Sequence, residues 1–274
     1  YLIYLTVPVT PMRRFLLLLA LVALTTAQTA PPPTFDSLYF ASWWQPLAPG
    51  LEHGIYRPPG GAELHVVRID PTRYRFRVHY HPGAPQTLDG WRAELDGAAA
   101  FVNASFFTSE HTILGVAVID GVVYGRALVN QGGMFQVIGD AVRVRSTRLE
   151  PYQSGEPLDQ AVQAYPMLVV EGEALIAERT RNEQTRRTVV AQDRRGHILL
   201  LATAESGLTL NELASYLAHT DLDIDNALNL DGGSSTMLYL TPPGLSVESR
   251  VPVPAVLAVY PADSRSCSDD GAGC

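Results

Sequence analysis

The sequence predicts an α+β fold: a single domain with a largely antiparallel or mixed sheet built from hairpins, and about two main helices. Three observations lead there. Short apolar runs, some alternating strictly with polar residues, recur between turn signals. Asp120-Gly121 and Gly139-Asp140 stand between such runs as hairpin loops. Helix-start signals occur only at Thr87 and Thr209, without the regular strand–helix alternation of a parallel sheet.

Taken in order, the chain opens with residues 1–11, which precede a plausible initiator at Met12. Arg13-Arg14, the apolar run Phe15 to Leu24, and Thr25-Thr26-Ala27 have the layout of a secretory signal peptide with cleavage after Ala27. The apolar run is too short to cross a bilayer, which takes about 20 residues. The expected product is exported, to the periplasm or outside the cell, with no transmembrane helix in the mature chain. Residues 28–34 form a Pro-rich linker, 35–262 the folded domain and 263–274 a polar tail. Trp43, Trp44 and Leu47 form an apolar clasp ending at Pro49-Gly50, and strands are expected from Glu63 onward.

Tyr74, Phe76, Val78 and Tyr80 alternate with Arg73, Arg75, Arg77, His79 and His81, the period of a half-buried strand with a basic outer face. His79 and His81 read as part of a solvated strand face rather than a metal pair, because no third ligand is signalled nearby. Thr87 caps a short helix that Gly97 terminates. Ala98 to Val102 is an apolar strand running into Asn103. Two hairpins follow, Ile113–Ile119 with Val122–Tyr124 and Met134–Ile138 with Ala141–Arg145. Leu168 to Val170 is a strand, and Glu178 to Gln184 an exposed polar loop. A strand opening at Arg186-Arg187 pairs through Asp193–Gly196 with Ile198 to Ala202. Thr209-x-x-Glu212 is a capping box for a helix ending near His219. Met237 to Leu240 and Ala255 to Tyr260 close the domain.

Composition narrows the chemistry. The net charge is −8, and all 20 basic residues are Arg. Without Lys there is no Schiff base and no Walker-type phosphate loop. Net acidity argues against a nucleic-acid partner. The two cysteines, Cys267 and Cys274, lie in the tail, so thiol catalysis and Cys-zinc sites are excluded from the domain. The usual serine-hydrolase elbow, zincin and dinucleotide motifs are missing from the sequence. Asp221, Asp223 and Asp225 alternate as in a calcium loop, but Asn226 and Gly232 stand where that loop needs Gly and Glu.

The stretch with most chemical content is Asn226 to Met237, NALNLDGGSSTM. An apolar run carries Asp231 to a strand end, and Gly232-Gly233 then turn the backbone sharply. The turn offers amides and the hydroxyls of Ser234, Ser235 and Thr236, a candidate anion nest beside an acid. An ordinary hairpin turn with a solvated Asp is the competing reading. Arg186 and Arg187, followed by Thr188 at a strand entry, are either an anion clamp or a solvated pair. Asn103 is a third polar residue at a strand end.

Together these stretches resemble the phosphodiester glycosidase family. The similarity runs from about Glu63 to Tyr260 and rests on FVNASFF, RRTVVAQDRRG, GLTLNELASYL and ALNLDGGSST, in that order. Ser234 stands where the family commonly has a third Gly, Ala104-Ser105 where it has Gly-Gly, and Arg186 where it has Pro. The resemblance implies hydrolysis of a sugar-1-phosphodiester. Asp231 would stabilise the anomeric centre or activate water, and Arg187 with the Gly232 to Ser235 turn would hold the phosphate. Thr236, Arg186 and Thr188 join that binding set, and Asn103 would orient a hydroxyl or phosphate oxygen. A second carboxylate, where one is needed, is Glu205 or Glu110. The expected partner is a phosphorylated carbohydrate. No cofactor is called for, and metal dependence and oligomeric state stay open. The alternatives are a non-catalytic exported module that binds phosphorylated glycan and a structural envelope domain.

Overall fold

Period-two alternation along the central strands sorts the core into two layers. In the strand Ile198–Thr203, Ile198, Leu200 and Ala202 face one side while Leu199 and Leu201 face the other, all fully buried. Thr188–Asp193 repeats the pattern, with Val190 opposed to Val189 and Ala191. A sheet built from such strands must be covered on both faces.

The computed structural model describes residues 44–60, 62–176, 183–205 and 207–262. The expected signal peptide, Pro-rich linker, Trp43, cysteine-bearing tail and most of the 178–184 loop lie outside them. All described residues belong to one body. Its largest sheet has eight strands in the order Gln45–Ala48, Leu51–Tyr56, Leu64–Ile69, Ile198–Thr203, Thr188–Asp193, Ile224–Asn229, Met167–Val170 and Glu173–Ala174. Every neighbouring pair is antiparallel.

Among the described residues two α-helices form as their caps require. Helix α1 (Leu88–Glu94) starts where the Thr87 hydroxyl accepts the Gly90 amide at 3.2 Å. Helix α2 (Leu210–His219) carries the full capping box: Thr209 Oγ1 accepts from the Glu212 amide at 3.1 Å, and Glu212 Oε2 accepts from the Thr209 amide at 2.8 Å. Leu213, Ala214 and Leu217 of α2 pack onto one face of the eight-stranded sheet, against Leu168, Val189 and Leu199.

The opposite face shares a core with two five-stranded sheets. One has Ala100–Asn103 at its centre, between Leu238–Leu240 and Ala255–Pro261, with Leu245–Val247 and Tyr74–Tyr80 at its edges. Val102, Leu257 and Val259 point into the shared core. Phe101, Val256 and Ala258 point away, to the side covered by α1. There Trp91 is fully buried and donates Nε1–H to the Val253 carbonyl at 3.1 Å. The other sheet runs Ala141–Ser146, Gly133–Ile138, Gln160–Ala164, Val116–Ile119 and Val122–Gly125.

The α+β expectation with mainly antiparallel pairing and two helices therefore holds, and several local readings are corrected. Strands begin at Gln45 rather than after Glu63, and Pro49-Gly50 joins two strands instead of ending a clasp. The expected strand Ile113–Ile119 breaks at Gly115, which sits at φ +91°. Ile113–Leu114 pairs instead with Phe106–Phe107. Asp120-Gly121 does close a two-residue hairpin, with φ of 48° and 79°. Of the two histidines, His79 is largely withdrawn from solvent, whereas His81, just past the strand, keeps a side chain that is 38% exposed. His79 Nε2 lies 3.1 Å from the Tyr260 hydroxyl, and His81 Nε2 lies 2.8 Å from a Glu94 carboxylate oxygen. Burial, with Arg77 adding to it, lowers the His79 pKa to about 4. His79 pairs in register with Val256, whose face is the one α1 covers.

Candidate active site at the Asp231 strand end

Two central strands end side by side. Thr188–Asp193 and Ile224–Asn229 pair from Val189 opposite Asn229 inward, and the Leu230 amide donates to the Thr188 carbonyl at 2.9 Å. Beyond this point the chain leaves the ladder at Asp231 and enters a 3₁₀ turn, Gly233–Ser235. Glycine is required at 232, because a Cβ there would stand 2.8 Å from the Arg186 carbonyl oxygen. Gly233 follows at φ +62° and donates its amide to that oxygen at 2.8 Å. The turn is thus laid directly on the Arg186-Arg187 backbone.

Asn103 stitches this corner together. It ends the strand Ala100–Asn103 in the neighbouring sheet and is 1% exposed. Its Nδ2 donates to the Asp231 carbonyl at 2.7 Å. Its Oδ1 accepts from the Thr188 hydroxyl and the Met237 amide, each at 2.8 Å. One amide side chain therefore fixes the entry of the turn, its exit and the neighbouring strand.

The two arginines are buried and serve carbonyl groups. Arg186 Nη2 donates to Thr236 O at 3.0 Å and Glu248 O at 2.8 Å. Arg187 donates from Nε to Leu208 O at 3.0 Å and from Nη2 to Glu183 O at 2.6 Å. Burial lowers both guanidinium pKa values. Neighbouring Arg250 lowers that of Arg186 further, while Glu205 and Glu183 act in the opposite sense on Arg186 and Arg187 respectively. Two cationic side chains embedded beside the turn give it a positive surround.

Asp231 is half-buried at the head of the turn. Burial pushes its carboxyl up to about 6; bonds from the Ser235 side chain and the Gly232 amide, the latter at 3.0 Å, hold it back in part. A carboxyl that exchanges its proton near neutral pH is suited to general acid–base work. The turn is less open as an anion nest than its glycines suggest. The amides of Gly232, Gly233 and Ser235 already bond to Asp231 Oδ1, Arg186 O and Gly232 O. Ser234 is exposed at the tip, whereas Ser235 and Thr236 are buried.

The structure brings Asn103, Arg186, Arg187, Thr188 and the segment Asp231–Thr236 into one corner. Exposed Glu205 is close enough for its charge to act on Arg186. Glu110 instead bonds Ser109 within its own turn. Sequence reasoning missed Arg250, whose amide donates to Ser234 O at 2.6 Å and whose exposed side chain stands beside the turn. An isolated Arg in VESRVPVP carries no signal that could have revealed it. Among the described residues no three His, Cys, Asp or Glu side chains are grouped to hold a metal ion. Nor is any described helix long and apolar enough to cross a membrane.

The fold is a layered, mainly antiparallel body with an acid-bearing turn where two sheets meet, a candidate site assembled from strand ends. The chain matches the family model for phosphodiester glycosidase over residues 96–260 and belongs to that family. It is similar to mouse N-acetylglucosamine-1-phosphodiester alpha-N-acetylglucosaminidase, 28% identical over 275 residues that cover 88% of this chain and 48% of the mouse protein. The chain thus spans about half the length of that relative. Two solved structures share the fold. The zebrafish N-acetylglucosamine-1-phosphodiester alpha-N-acetylglucosaminidase catalytic domain, auto-inhibited by its pro-peptide, aligns with a TM-score of 0.59 at 19% identity, covering 82% of this chain and 89% of its own. A hypothetical protein from Synechocystis aligns with a TM-score of 0.57 at 18% identity, covering 81% and 64%.

Proposed function

We propose that the chain is an exported hydrolase that cleaves the bond between an anomeric sugar carbon and a phosphodiester oxygen. The observation that carries this reading is the Asp231 carboxyl, set in a turn braced by Asn103 and pushed up to about 6 by burial, in a member of the phosphodiester glycosidase family. Water attacks the anomeric carbon and gives its proton to Asp231. The carbon–oxygen bond breaks with its electron pair passing to the phosphate, leaving a free sugar and a phosphate monoester. The transition state is oxocarbenium-like, and a phosphate leaves readily, so the departing oxygen needs little acid assistance.

The positive surround of the turn favours charge gathering on the leaving group. Arg186 and Arg187 contribute to it from buried positions, and exposed Arg250 and Ser234 stand where a phosphate could be met. Gly232, Gly233, Ser235 and Thr236 shape the turn, Asn103 and Thr188 position it, and Glu205 is the candidate second carboxylate. Export rests on the Met12–Ala27 signal. The test is release of reducing sugar from UDP-N-acetylglucosamine and related glycosyl phosphodiesters. Asp231→Asn should lower turnover about a hundredfold or more with the fold intact. Near-wild-type turnover in that variant would remove Asp231 from the mechanism, and no release from any glycosyl phosphodiester would end the hydrolase reading.

A further inference from the structure

The face of the eight-stranded sheet that α2 covers turns polar at its far end. In step with the period-two alternation, Leu64 and Val66 give way to Arg68 and Asp70, Leu201 and Leu199 to His197, and Val189 and Ala191 to Asp193. An open cleft of about 650 Å³ lies there, lined by Arg68, Asp70, Glu52, Arg195 and His197, with Pro46, Leu47 and Pro49 as an apolar wall. The proposed reaction does not use it. Asp193 ends the strand that Thr188 begins, so the cleft and the candidate active site stand about 17 Å apart along that strand.

One imidazole in this cleft is fixed from behind. The Asp193 carboxylate is buried and accepts the Arg195 amide at 2.9 Å, the His197 amide at 2.8 Å and His197 Nδ1 at 2.8 Å. An ionised carboxylate only accepts, so Nδ1 carries the proton and Nε2 is the ring atom left for a ligand. In the imidazolium form Nε2 donates as well. The other carboxylates of the cleft are already engaged. Glu52 Oε2 accepts from Arg68 Nε at 2.8 Å and Nη2 at 2.5 Å. Asp70 Oδ1 accepts from the Thr72 amide at 2.9 Å and hydroxyl at 2.7 Å, and Arg73 Nε lies 3.6 Å from Oδ2. His197 also stands near enough to act on the Asp70 charge. The Arg68 guanidinium lies over Trp44, 3.9 Å from the ring centroid, with Nη1 outside the Glu52 pair. Exposed Arg195 makes no side-chain ion pair or hydrogen bond among the described residues. Matching acids against bases thus leaves Arg195, with the His197 ring, as the uncommitted positive group of the cleft.

We propose that this cleft is a second ligand site, remote from Asp231, that binds an organic phosphate monoester. The phosphate would sit on Arg195, His197 Nε2 and Arg68 Nη1, and the carbon body against Pro46, Leu47 and Pro49. A phosphate offers three terminal oxygens to these three groups, where a carboxylate offers two in one plane. The volume is that of a small-molecule site. The test follows phenyl phosphate binding to the intact chain by calorimetry and by the NMR signals of the seven histidine rings. The His197 signals are identified by their loss in His197→Gln. Phenyl phosphate is already a monoester, so the proposed hydrolysis does not consume it. It should bind with a Kd of about 1 mM or tighter and move the His197 signals along the same curve. Inorganic phosphate, without the apolar body, should bind about threefold or more weakly. Arg195→Ala should weaken phenyl phosphate about tenfold or more. Arg126→Ala, an equal loss of charge at an exposed position, should leave it within about twofold. Melting temperatures close to wild type in both variants separate lost binding from lost folding. Unmoved His197 signals at saturation, or undiminished binding by a folded Arg195→Ala, overturns the proposal. Binding abolished by Arg250→Ala and indifferent to Arg195 would place the phosphate at the Asp231 turn and overturn it equally. Arg195-dependent binding without hydrolysis of any glycosyl phosphodiester would uphold the site while rejecting the reaction.

Discussion

Replacing Asp231 with Asn should stabilise the protein at neutral pH while disabling it. The carboxyl is raised from 3.8 to about 6 because ionising it where it lies is unfavourable. A folded-state pKa above the unfolded one means that the native state binds the extra proton between those values. Stability therefore falls as pH rises from about 4 through about 6, and the loss is complete above the folded pKa. Two pKa units correspond to about 3 kcal/mol, which solvent reaching a half-buried group reduces to about 2 kcal/mol. Asn keeps the shape and can still accept the Gly232 amide, bonded at 3.0 Å in the wild type, without carrying charge. At pH 7.5 the variant should melt about 4–8 °C higher than wild type, and at pH 4 the two should nearly coincide. The assay is thermal melting of both proteins at half-unit steps from pH 4 to 8. Parallel melting curves across that range would refute the raised pKa and with it the case for Asp231 as a neutral-pH acid or base. In the wild type, turnover should rise through about pH 6 to a plateau, as expected of an ionised carboxylate acting as base.

Three further outcomes follow from the packing. Asn103→Ala removes a buried amide that bonds Asp231 O, Thr188 Oγ1 and Met237 N, and should cost about 2–4 kcal/mol by denaturant titration and lower turnover as well. Gly232→Ala places a Cβ 2.8 Å from Arg186 O and should cost about 1–3 kcal/mol, with turnover falling because the turn must lift away from the strand end. Trp91→Ala empties a fully buried site beneath α1 and should cost about 3–5 kcal/mol, yet leave the KM of the surviving folded protein unchanged.

Which of these features can be read from sequence depends on how far apart their partners lie. Thr209 and Glu212 cap a helix three residues away, so the signal is local and the helix starts where expected. Asp231 announced itself because Gly232-Gly233 must turn the chain immediately after it. Asn103 was noticeable as a polar strand end, but its bond to Asp231 spans 128 residues and no local pattern encodes it. The arginines illustrate the limit. Residue type pointed to an anion clamp, while carbonyl partners brought in from Leu208, Glu183, Thr236 and Glu248 occupy much of their hydrogen-bonding capacity. Arg250 drew no functional reading, since its significance lies wholly in what the fold sets beside it. Even the break at Gly115 is a matter of pairing, decided by Phe106–Phe107 competing for Ile113–Leu114.

The Asn103 bridge has a consequence for how the protein matures. The amide belongs to one sheet and the Asp231 turn leaves another, so neither sheet alone can hold the turn in shape. Met237, which binds the same amide from the far side of the turn, is 134 residues from Asn103. Contacts of that span form only after long loops have closed, and they belong to the late, slow part of folding. A chain halted before Met237 would possess every strand of the eight-stranded sheet and still lack the Met237 side of the brace and the Leu238–Leu240 and Ala255–Pro261 strands that flank Asn103. Catalytic competence in this fold would then register completion, appearing only when the last strands have docked.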